Sequence, residues 1–369
     1  MASKTHNRPP GEPASKEEAG SSEAFSGGAE SASGDLARRK TAHLDACLEE
    51  EVDLGRDSFG EYALRYNALP EMALGDVSLA STFAGKEVAA PLIISCMTGG
   101  AGERFERINR NLAIGARELN IPLGLGSMRV LLQHAAAESS FKVRQEAGQV
   151  PLIANLGLVS FNHGLVYEDV ERIIDMVQPD VFGLHLNALQ EVIQEGGDTD
   201  FRGLLGHLEH LARRCPLPVY VKECGGGIAP GLVRKLFSAG AAYVDISGND
   251  GTSWAAVEGR LSADPSLGEL FRDFGLPTAW ILERLSPSVV KGGRVVASGG
   301  IRNGLQAVKA LALGARWVGV ARPFFLAAEH SAEAVVALGS RILTEMRTAL
   351  FLLGVKTPQA LNRSHFLDR

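Results

Sequence analysis

Polar and charged side chains recur in this sequence at the ends of short apolar runs, and these side chains could do chemistry. The runs are typical of strands buried in a parallel sheet. In a parallel barrel the carboxyl ends of the strands meet at one mouth, where active sites form. The pattern therefore predicts an enzyme. The residues concerned are Thr98, Ser127, Asn155, His185, Asn187, Lys222, Ser247, Ser298 and Arg322.

The stretch from residue 295 to 325 carries a signal for an anionic ligand. It has the pattern of a strand, the glycine pair Gly299–Gly300, a helix with one apolar face, and a second strand before Ala321 and Arg322. Glycine lets backbone N–H groups approach a ligand closely, and such groups suit an anion. The loops after the last two strands of a (β/α)₈ barrel are its usual phosphate site. The alternative is an ordinary crossover whose glycines only make turns.

The segment HLNALQE, residues 185–191, is the richest in polar groups. His185 and Asn187 share one face of a strand because of its period of two, and Gln190 and Glu191 follow at the start of a helix. A carboxylate there can hold Mg²⁺ together with the phosphates of a substrate. Alternatively, Glu191 is an acid favoured by the helix dipole, and His185 is an interior histidine.

Amides and hydroxyls at many strand ends suit a large, flat, polar ligand such as a flavin. Lys222, on the fifth strand, could reach the N1/O2 edge of a flavin and stabilise its anionic reduced ring. The alternative for Lys222 is a structural pair with an acid at a strand end.

Eight apolar runs must position these groups, and helical patterns long enough for right-handed crossovers separate them. This number of βα units in roughly 250 residues predicts a TIM barrel. A doubly wound sheet is the alternative, but it would not need a polar residue at every strand end. The expected strands are residues 91–97, 122–127, 152–157, 180–187, 218–223, 242–247, 295–298 and 317–320.

The chain has 369 residues, a net charge of −6 and 45% hydrophobic residues. This mild acidity predicts neither a nucleic acid nor a membrane surface as partner. The four cysteines lack metal-ligand spacing, so a cytoplasmic protein with reduced thiols is expected. No apolar run approaches the ~20 residues of a spanning helix, and we expect no signal peptide.

Two domains of different character are expected. Residues 1–34 are rich in Ser, Gly, Pro, Ala and Glu, and their composition predicts a disordered tail. Residues 35–369 would form the barrel domain. A short helix over residues 35–44 opens this domain and carries the basic cluster at residues 38–40, which by default is a solvated charge run. A long amphipathic helix after residue 331 would close the outer ring.

Together these motifs resemble the type 2, FMN-dependent isopentenyl-diphosphate isomerases, from about residue 37 to the last helix. The strings HLNxxQE and GLGSMR are the specific part, whereas the pattern from Ser298 to Arg322 is shared by many FMN barrels. The resembling segments are Arg39–Lys40 with His43, residues 97–100 (MTGG), 124–129 (GLGSMR), 154–157 (ANLG), 185–191, 221–223 (VKE), 251–254 (GTSW), 298–302 (SGGIR) and 321–322.

The resemblance implies a role for each group. The basic cluster becomes a lid segment over the phosphates, and Glu191 positions Mg²⁺. FMN would contact Met97, Thr98, Gly99, Ser127, Asn155, Lys222, Ser247, Thr252, Gly299, Gly300, Ile301, Ala321 and Arg322. The diphosphate would contact Arg39, Lys40, Ser127, Met128, Arg129, His185, Asn187 and Gln190.

The implied reaction moves a carbon–carbon double bond, interconverting isopentenyl and dimethylallyl diphosphate in isoprenoid biosynthesis. N5 of the reduced flavin would carry the proton, with Gln190 beside the ring. NADPH would reduce the FMN to activate the enzyme, since the net redox change is zero. The family's usual homo-tetramers or octamers are implied as well.

Two rival functions remain at this point. An FMN-dependent oxidoreductase of the 2-hydroxy-acid oxidase type would share the phosphate site, but it needs a histidine base after the sixth strand. Residues 247–252 (SGNDGT) contain none. A non-catalytic phosphate-binding barrel would need neither Mg²⁺ nor the basic lid.

Overall fold

The computed structural model of the protein describes residues 27–368 and contains a closed barrel of eight parallel strands. The barrel order is β3 to β10, with β10 pairing with β3. All eight predicted strands are confirmed, and the predicted (β/α)₈ barrel with them. The strands are β1 (Ser81–Phe83), β2 (Lys86–Val88), β3 (Leu92–Ile94), β4 (Leu123–Gly124), β5 (Leu152–Gly157), β6 (Val181–Leu186), β7 (Val219–Glu223), β8 (Tyr243–Asp245), β9 (Val295–Ala297) and β10 (Trp317–Val320).

Helices surround the barrel, as the apolar periodicity predicts. They are α1 (Gly27–Leu48), α2 (Glu103–Leu119), α3 (Arg129–Gln133), α4 (Glu138–Phe141), α5 (Arg144–Ala147), α6 (Tyr167–Val177), α7 (Ala188–Ile193), α8 (Leu204–Arg214), α9 (Pro230–Ser238), α10 (Trp254–Leu261), α11 (Ser266–Leu270), α12 (Thr278–Glu283), α13 (Pro287–Lys291), α14 (Gly304–Leu313), α15 (Arg322–His330) and α16 (Ala332–Leu352). Short 3₁₀ turns join several of these helices. Within residues 27–368 no helix combines the length and apolar character needed to cross a membrane.

A two-stranded hairpin, β1–β2, closes the end of the barrel opposite the mouth. Phe83 is fully buried there and stacks on Tyr243, the first residue of β8, with 4.6 Å between ring centroids. It also meets Trp317, the first residue of β10, edge to face at 4.9 Å. These aromatic contacts fill the end of the barrel at which the strands begin.

The N-terminal helix is longer than expected. It begins at Gly27, eight residues before the predicted start at Asp35. Ala and Glu support this helix extension, whereas the disordered tail over residues 1–34 stays a prediction, and residues 1–26 lie outside the described residues. Leu44 and Cys47 are buried. Arg322 donates from Nε to Cys47 O at 2.9 Å, which fixes the end of α1 over the mouth.

Candidate active site

Two connected cavities open at the carboxyl ends of the strands. The narrow cavity, of about 80 Å³, lies beside the ends of β8, β9 and β10. The wide cavity, of about 540 Å³, lies between β4–β7 and helix α1. The narrow cavity is lined by Met97, Lys222, Ser247, Thr252, Gly299, Gly300, Ile301, Ala321 and Arg322 among others. The wide cavity is lined by Arg39, Lys40, Met97, Ser127, Arg129, Asn155, His185, Asn187, Gln190, Glu191 and Lys222 among others.

Lys222 lines both cavities and is 5% exposed. Its ammonium donates to the carbonyl of Glu223 at 2.6 Å and lies 3.8 Å from Cys224 Sγ. Burial alone would lower the pKa of Lys222, but Cys224 and the Asp245 carboxylate raise it above the ordinary value overall. The two cavities therefore share a wall that carries the ammonium of Lys222.

The glycine turn after β9 has space for a ligand and none for side chains. Gly299 and Gly300 have φ values of +90° and +76°. A Cβ on Gly299 would lie 2.0 Å from Gly248 O, and one on Gly300 would lie 2.2 Å from Asp250 Cβ. Ser247 also adopts a left-handed backbone, with φ of +36°. Such backbone at a strand end is typical of a constrained ligand site.

Arg322, which we expect to contact a phosphate, also contacts groups of the protein itself. Its guanidinium donates to the carbonyls of Cys47, Leu48 and Glu49, and it lies 3.5 Å from the carboxylate of Asp53. Asp53 also pairs with Arg302 at 2.5 Å. Arg322 therefore ties α1 to the narrow cavity and contributes its charge beside the glycine turn.

The wide cavity collects cations around polar strand ends. Burial lowers the pKa of Lys40, and the adjacent Arg39 lowers it further. Burial also lowers the pKa of His185 to about 3, and the charges of Lys222, Lys40 and Arg129 act in the same direction. His185 is therefore neutral at neutral pH, with Nδ1 3.1 Å from Asn155 Oδ1. The excess of positive charge suits a multiply charged anion.

Several buried polar atoms that face these cavities have no hydrogen-bond partner among the described residues. They are Ser95 Oγ in the narrow cavity and Arg39 Nε and Asn187 Oδ1 in the wide cavity. A buried polar atom without a partner is costly. A ligand with polar groups in both cavities would satisfy these atoms.

Glu191 is the buried acid of the wide cavity, at 8% exposure. Its Oε1 accepts a hydrogen bond from Asn187 Nδ2 at 2.6 Å, and Oε2 accepts one from the backbone N–H of Asp198 at 2.7 Å. Asp198 in turn pairs with Arg129. Within residues 27–368 no group of three or more His, Cys, Asp or Glu residues forms a metal cage.

Sequence reasoning missed a carboxylate that contacts Gln190. Glu258 on α10 is 3% exposed, accepts from Gln190 Nε2 at 2.6 Å, and lies 2.9 Å from His43 Nε2. Gln190 Oε1 accepts from Asn187 Nδ2 at 3.3 Å, so both ends of this amide are held. The signal was the spacing of Trp254 and Glu258, which puts both on one helix face. Trp254 lines both cavities.

Three predicted contact residues do not line either cavity. Thr98 is fully buried, and its hydroxyl is bonded to Asn109 on α2. A Cβ on Gly99 would lie 2.6 Å from Ser127 O, so Gly99 packs against the backbone of the β4 loop. Met128 is fully buried in the core. Neighbouring structure takes up the side chains of Thr98 and Met128, and the contacts of these residues with FMN and diphosphate stay predictions.

Comparisons with known proteins first give the class. The model of the FMN-dependent dehydrogenase family matches residues 184–368, which include the glycine turn and Lys222. Solved structures share the fold: a flavocytochrome b2 variant has a TM-score of 0.65 at 16% identity, covering 92% of this chain and 85% of its own. A mandelate oxidase variant has a TM-score of 0.62 at 20% identity, covering 89% and 97%. The chain is an FMN-binding barrel of this class.

Curated relatives define the family more closely, and all three described here are named isopentenyl-diphosphate delta-isomerase. The protein from Synechococcus sp. is 43% identical over 86% of this chain and 92% of its own. The protein from Paracoccus zeaxanthinifaciens is 42% identical, covering 90% and 97%, and that from Deinococcus radiodurans is 42% identical, covering 86% and 94%. This chain belongs to the isopentenyl-diphosphate delta-isomerase family.

Proposed function

We propose that this protein interconverts isopentenyl diphosphate and dimethylallyl diphosphate in isoprenoid biosynthesis, with reduced FMN as its cofactor. The observation that carries the proposal is the joining of two cavities at Lys222: one has a glycine turn suited to a phosphate, and the other has a surplus of cations. The phosphate tail of FMN in the first cavity, its ring beside Lys222, and a diphosphate in the second cavity would come together at this lysine.

The diphosphate would be held by the cations of the wide cavity. Arg39 and Arg129 offer several N–H donors for phosphate oxygens, and the Nε of Arg39 is buried without a partner among the described residues. An anion bound beside Lys40 would favour the protonated form of this lysine. The neutral His185 and the amide of Asn187 complete the set. Binding would thus replace repulsion between like charges with neutralisation.

Mg²⁺ would bind at Glu191 in this proposal. The carboxylate is fixed by Asn187 and by the Asp198 backbone, so it can present one oxygen without rearranging. Mg²⁺ commonly takes one or two protein carboxylates and fills its octahedral shell with substrate phosphates and water. A single acid is therefore a sufficient protein contribution.

Gln190 is the proposed catalytic residue beside the prenyl chain. Glu258 holds its Nε2 and Asn187 contacts its Oε1, so the amide is oriented before substrate arrives. When reduced FMN is bound, it supplies an electron-rich ring and a nitrogen, N5, that can carry a proton. Lys222 would stabilise the negative charge at the N1/O2 edge of that ring. Met97 lines both cavities and would pack against the flavin.

NADPH is the proposed reductant that activates the flavin, since double-bond migration consumes no electrons. A homo-oligomer, tetrameric or octameric, in the cytoplasm is part of the same proposal and rests on the family membership. The roles of Asn155, Ser127 and Thr252 as flavin contacts rest on their positions in the cavity walls.

A test that separates this proposal from its rival offers the purified protein two substrates. The protein should be yellow, convert isopentenyl diphosphate anaerobically after reduction, and leave lactate-like 2-hydroxy acids unchanged. Oxidation of 2-hydroxy acids without isomerisation would favour the oxidase reading. Residues 247–252 contain no histidine base for the oxidation of 2-hydroxy acids, and this favours the isomerase function.

A further inference from the structure

Asp245, behind the cavity wall, has no role so far in the proposed reaction. It is fully buried at the end of β8, and its Cα pairs in register with that of Lys222 on β7. Its carboxylate accepts hydrogen bonds from Ser298 Oγ at 2.6 Å, Tyr220 Oη at 2.9 Å and the backbone N–H of Ser247 at 3.3 Å. Burial raises the pKa of Asp245, whereas the charge of Lys222 and these three donors act in the opposite direction and favour the ionised carboxylate.

The groups around Lys222 show which of them can carry a negative charge beside its ammonium. The groups that face the ammonium are Cys96, Cys224, Glu223, His185 and Asp245. Burial raises the pKa of Cys96 to about 12 and that of Cys224 to about 11, so both are neutral thiols. His185 is neutral above a pKa of about 3.

Glu223 is the second acid near Lys222, and its carboxylate is turned toward the glycine loop. Glu223 Oε2 accepts from the backbone N–H groups of Gly225, Gly226 and Gly227 at 2.5, 2.5 and 2.9 Å. Asp245 raises the pKa of Lys222 more than Glu223 does, and its backbone is paired with that of Lys222 at the ~4.8 Å spacing of neighbouring strands. Without the carboxylate of Asp245, burial would favour an uncharged lysine.

We propose that Asp245 is a positioning residue that keeps Lys222 protonated, so that the flavin site presents a positive charge that does not vary with pH in the working range. The proposal rests on the role assigned to Lys222 above. It does not depend on which substrate the enzyme converts.

The affinity of the oxidised flavin for sulfite reports the charge of Lys222 and does not require the isomerisation reaction. Its lone pair adds to N5 of oxidised flavin, and the negative charge that results lies at the N1/O2 edge, where Lys222 would stabilise it. We would titrate sulfite into the FMN-loaded wild type and Asp245→Asn by visible absorbance, from pH 6 to 10. The Asp245→Asn protein should lose affinity relative to wild type by up to about tenfold per pH unit above a new midpoint. Wild-type and variant curves that run parallel would overturn the proposal.

The double variant Asp245→Asn with Lys222→Met identifies the titrating group. It should show weak sulfite binding and no added pH step, because the charge is missing at every pH. A step that persists in the double variant would assign the titration elsewhere and refute the role of Lys222. Tyr220→Phe is the matched control, since it removes one donor and leaves the carboxylate in place, so its curve should stay close to wild type.

A second measurement covers the case in which Asp245→Asn does not fold. Wild-type protein carrying lysine labelled with ¹³C at Cε is followed by NMR without FMN, and the Lys222 signal is identified by its absence in Lys222→Met. The proposal expects no titration of this signal below pH 10. A midpoint below pH 10 would overturn it, whether or not the protein proves to be an isomerase.

Discussion

Glu258→Gln changes a buried acid that lines neither cavity, and we expect it to slow isomerisation. Glu258 Oε1 lies 2.6 Å from Gln190 Nε2 and 2.9 Å from His43 Nε2, so one oxygen serves two nitrogen neighbours. A glutamine in its place can keep its carbonyl oxygen toward both neighbours, but that oxygen is a neutral and therefore weaker acceptor. The loss of one charge-assisted contact is about 1.5–3 kcal/mol.

If that contact orients Gln190 in the transition state, the corresponding drop in kcat is roughly 10- to 150-fold. The assay is anaerobic conversion of isopentenyl diphosphate with photoreduced enzyme, and the KM for substrate and the FMN content should stay near wild type. Glu269→Gln is the control, because Glu269 is an exposed acid on α11 that pairs with Arg272 at 3.5 Å. Wild-type kcat in correctly folded Glu258→Gln would refute the reasoning.

Three further outcomes are expected. Glu191→Gln should reduce the response of activity to added Mg²⁺ while FMN stays bound; an unchanged Mg²⁺ titration would remove Glu191 from the metal site. Arg39→Ala should remove a contact of about 1.5–3 kcal/mol, so the KM for isopentenyl diphosphate should rise while FMN affinity stays unchanged. A wild-type KM would contradict the role of the basic cluster as a lid segment over the phosphates. Because the pKa of folded His185 is about 3 against 6.5 for the unfolded residue, the unfolded chain takes up a proton first as pH falls. The contribution of His185 to urea-unfolding stability should therefore fall by up to about 1.4 kcal/mol per pH unit below ~6.5, and this slope should be absent in His185→Gln.

The architecture could be predicted from sequence because each strand is a buried apolar run. Strand bounds were less accurate where the backbone turns early: β4 is only Leu123–Gly124, although its apolar pattern continues to Leu125. The β1–β2 hairpin escaped prediction because three-residue strands are too short for a periodic signal. Its placement is decided by Phe83 and its aromatic neighbours, which are distant in sequence.

The part of the site formed by residues at the strand ends could be predicted from the sequence. Lys222, His185 and Gln190 line the wide cavity as expected. The hydroxyl of Thr98 lies away from both cavities, because a strand-end hydroxyl can turn either way and this one donates to the buried Asn109. Glu258 was missed because its spacing from Trp254 shows only a shared helix face, and its approach to Gln190 depends on the tertiary packing of α10.

The central claim is that a reduced flavin and a prenyl diphosphate bind side by side at the carboxyl end of the barrel. A proton is moved there without net electron transfer. Proton NMR of isopentenyl diphosphate with the photoreduced enzyme in D₂O, with the flavin absorbance followed in the same anaerobic sample, tests this most directly. We predict dimethylallyl diphosphate carrying deuterium, and a flavin that stays reduced throughout. Reoxidation of the flavin in proportion to substrate consumed, or an unchanged substrate spectrum, would contradict the claim.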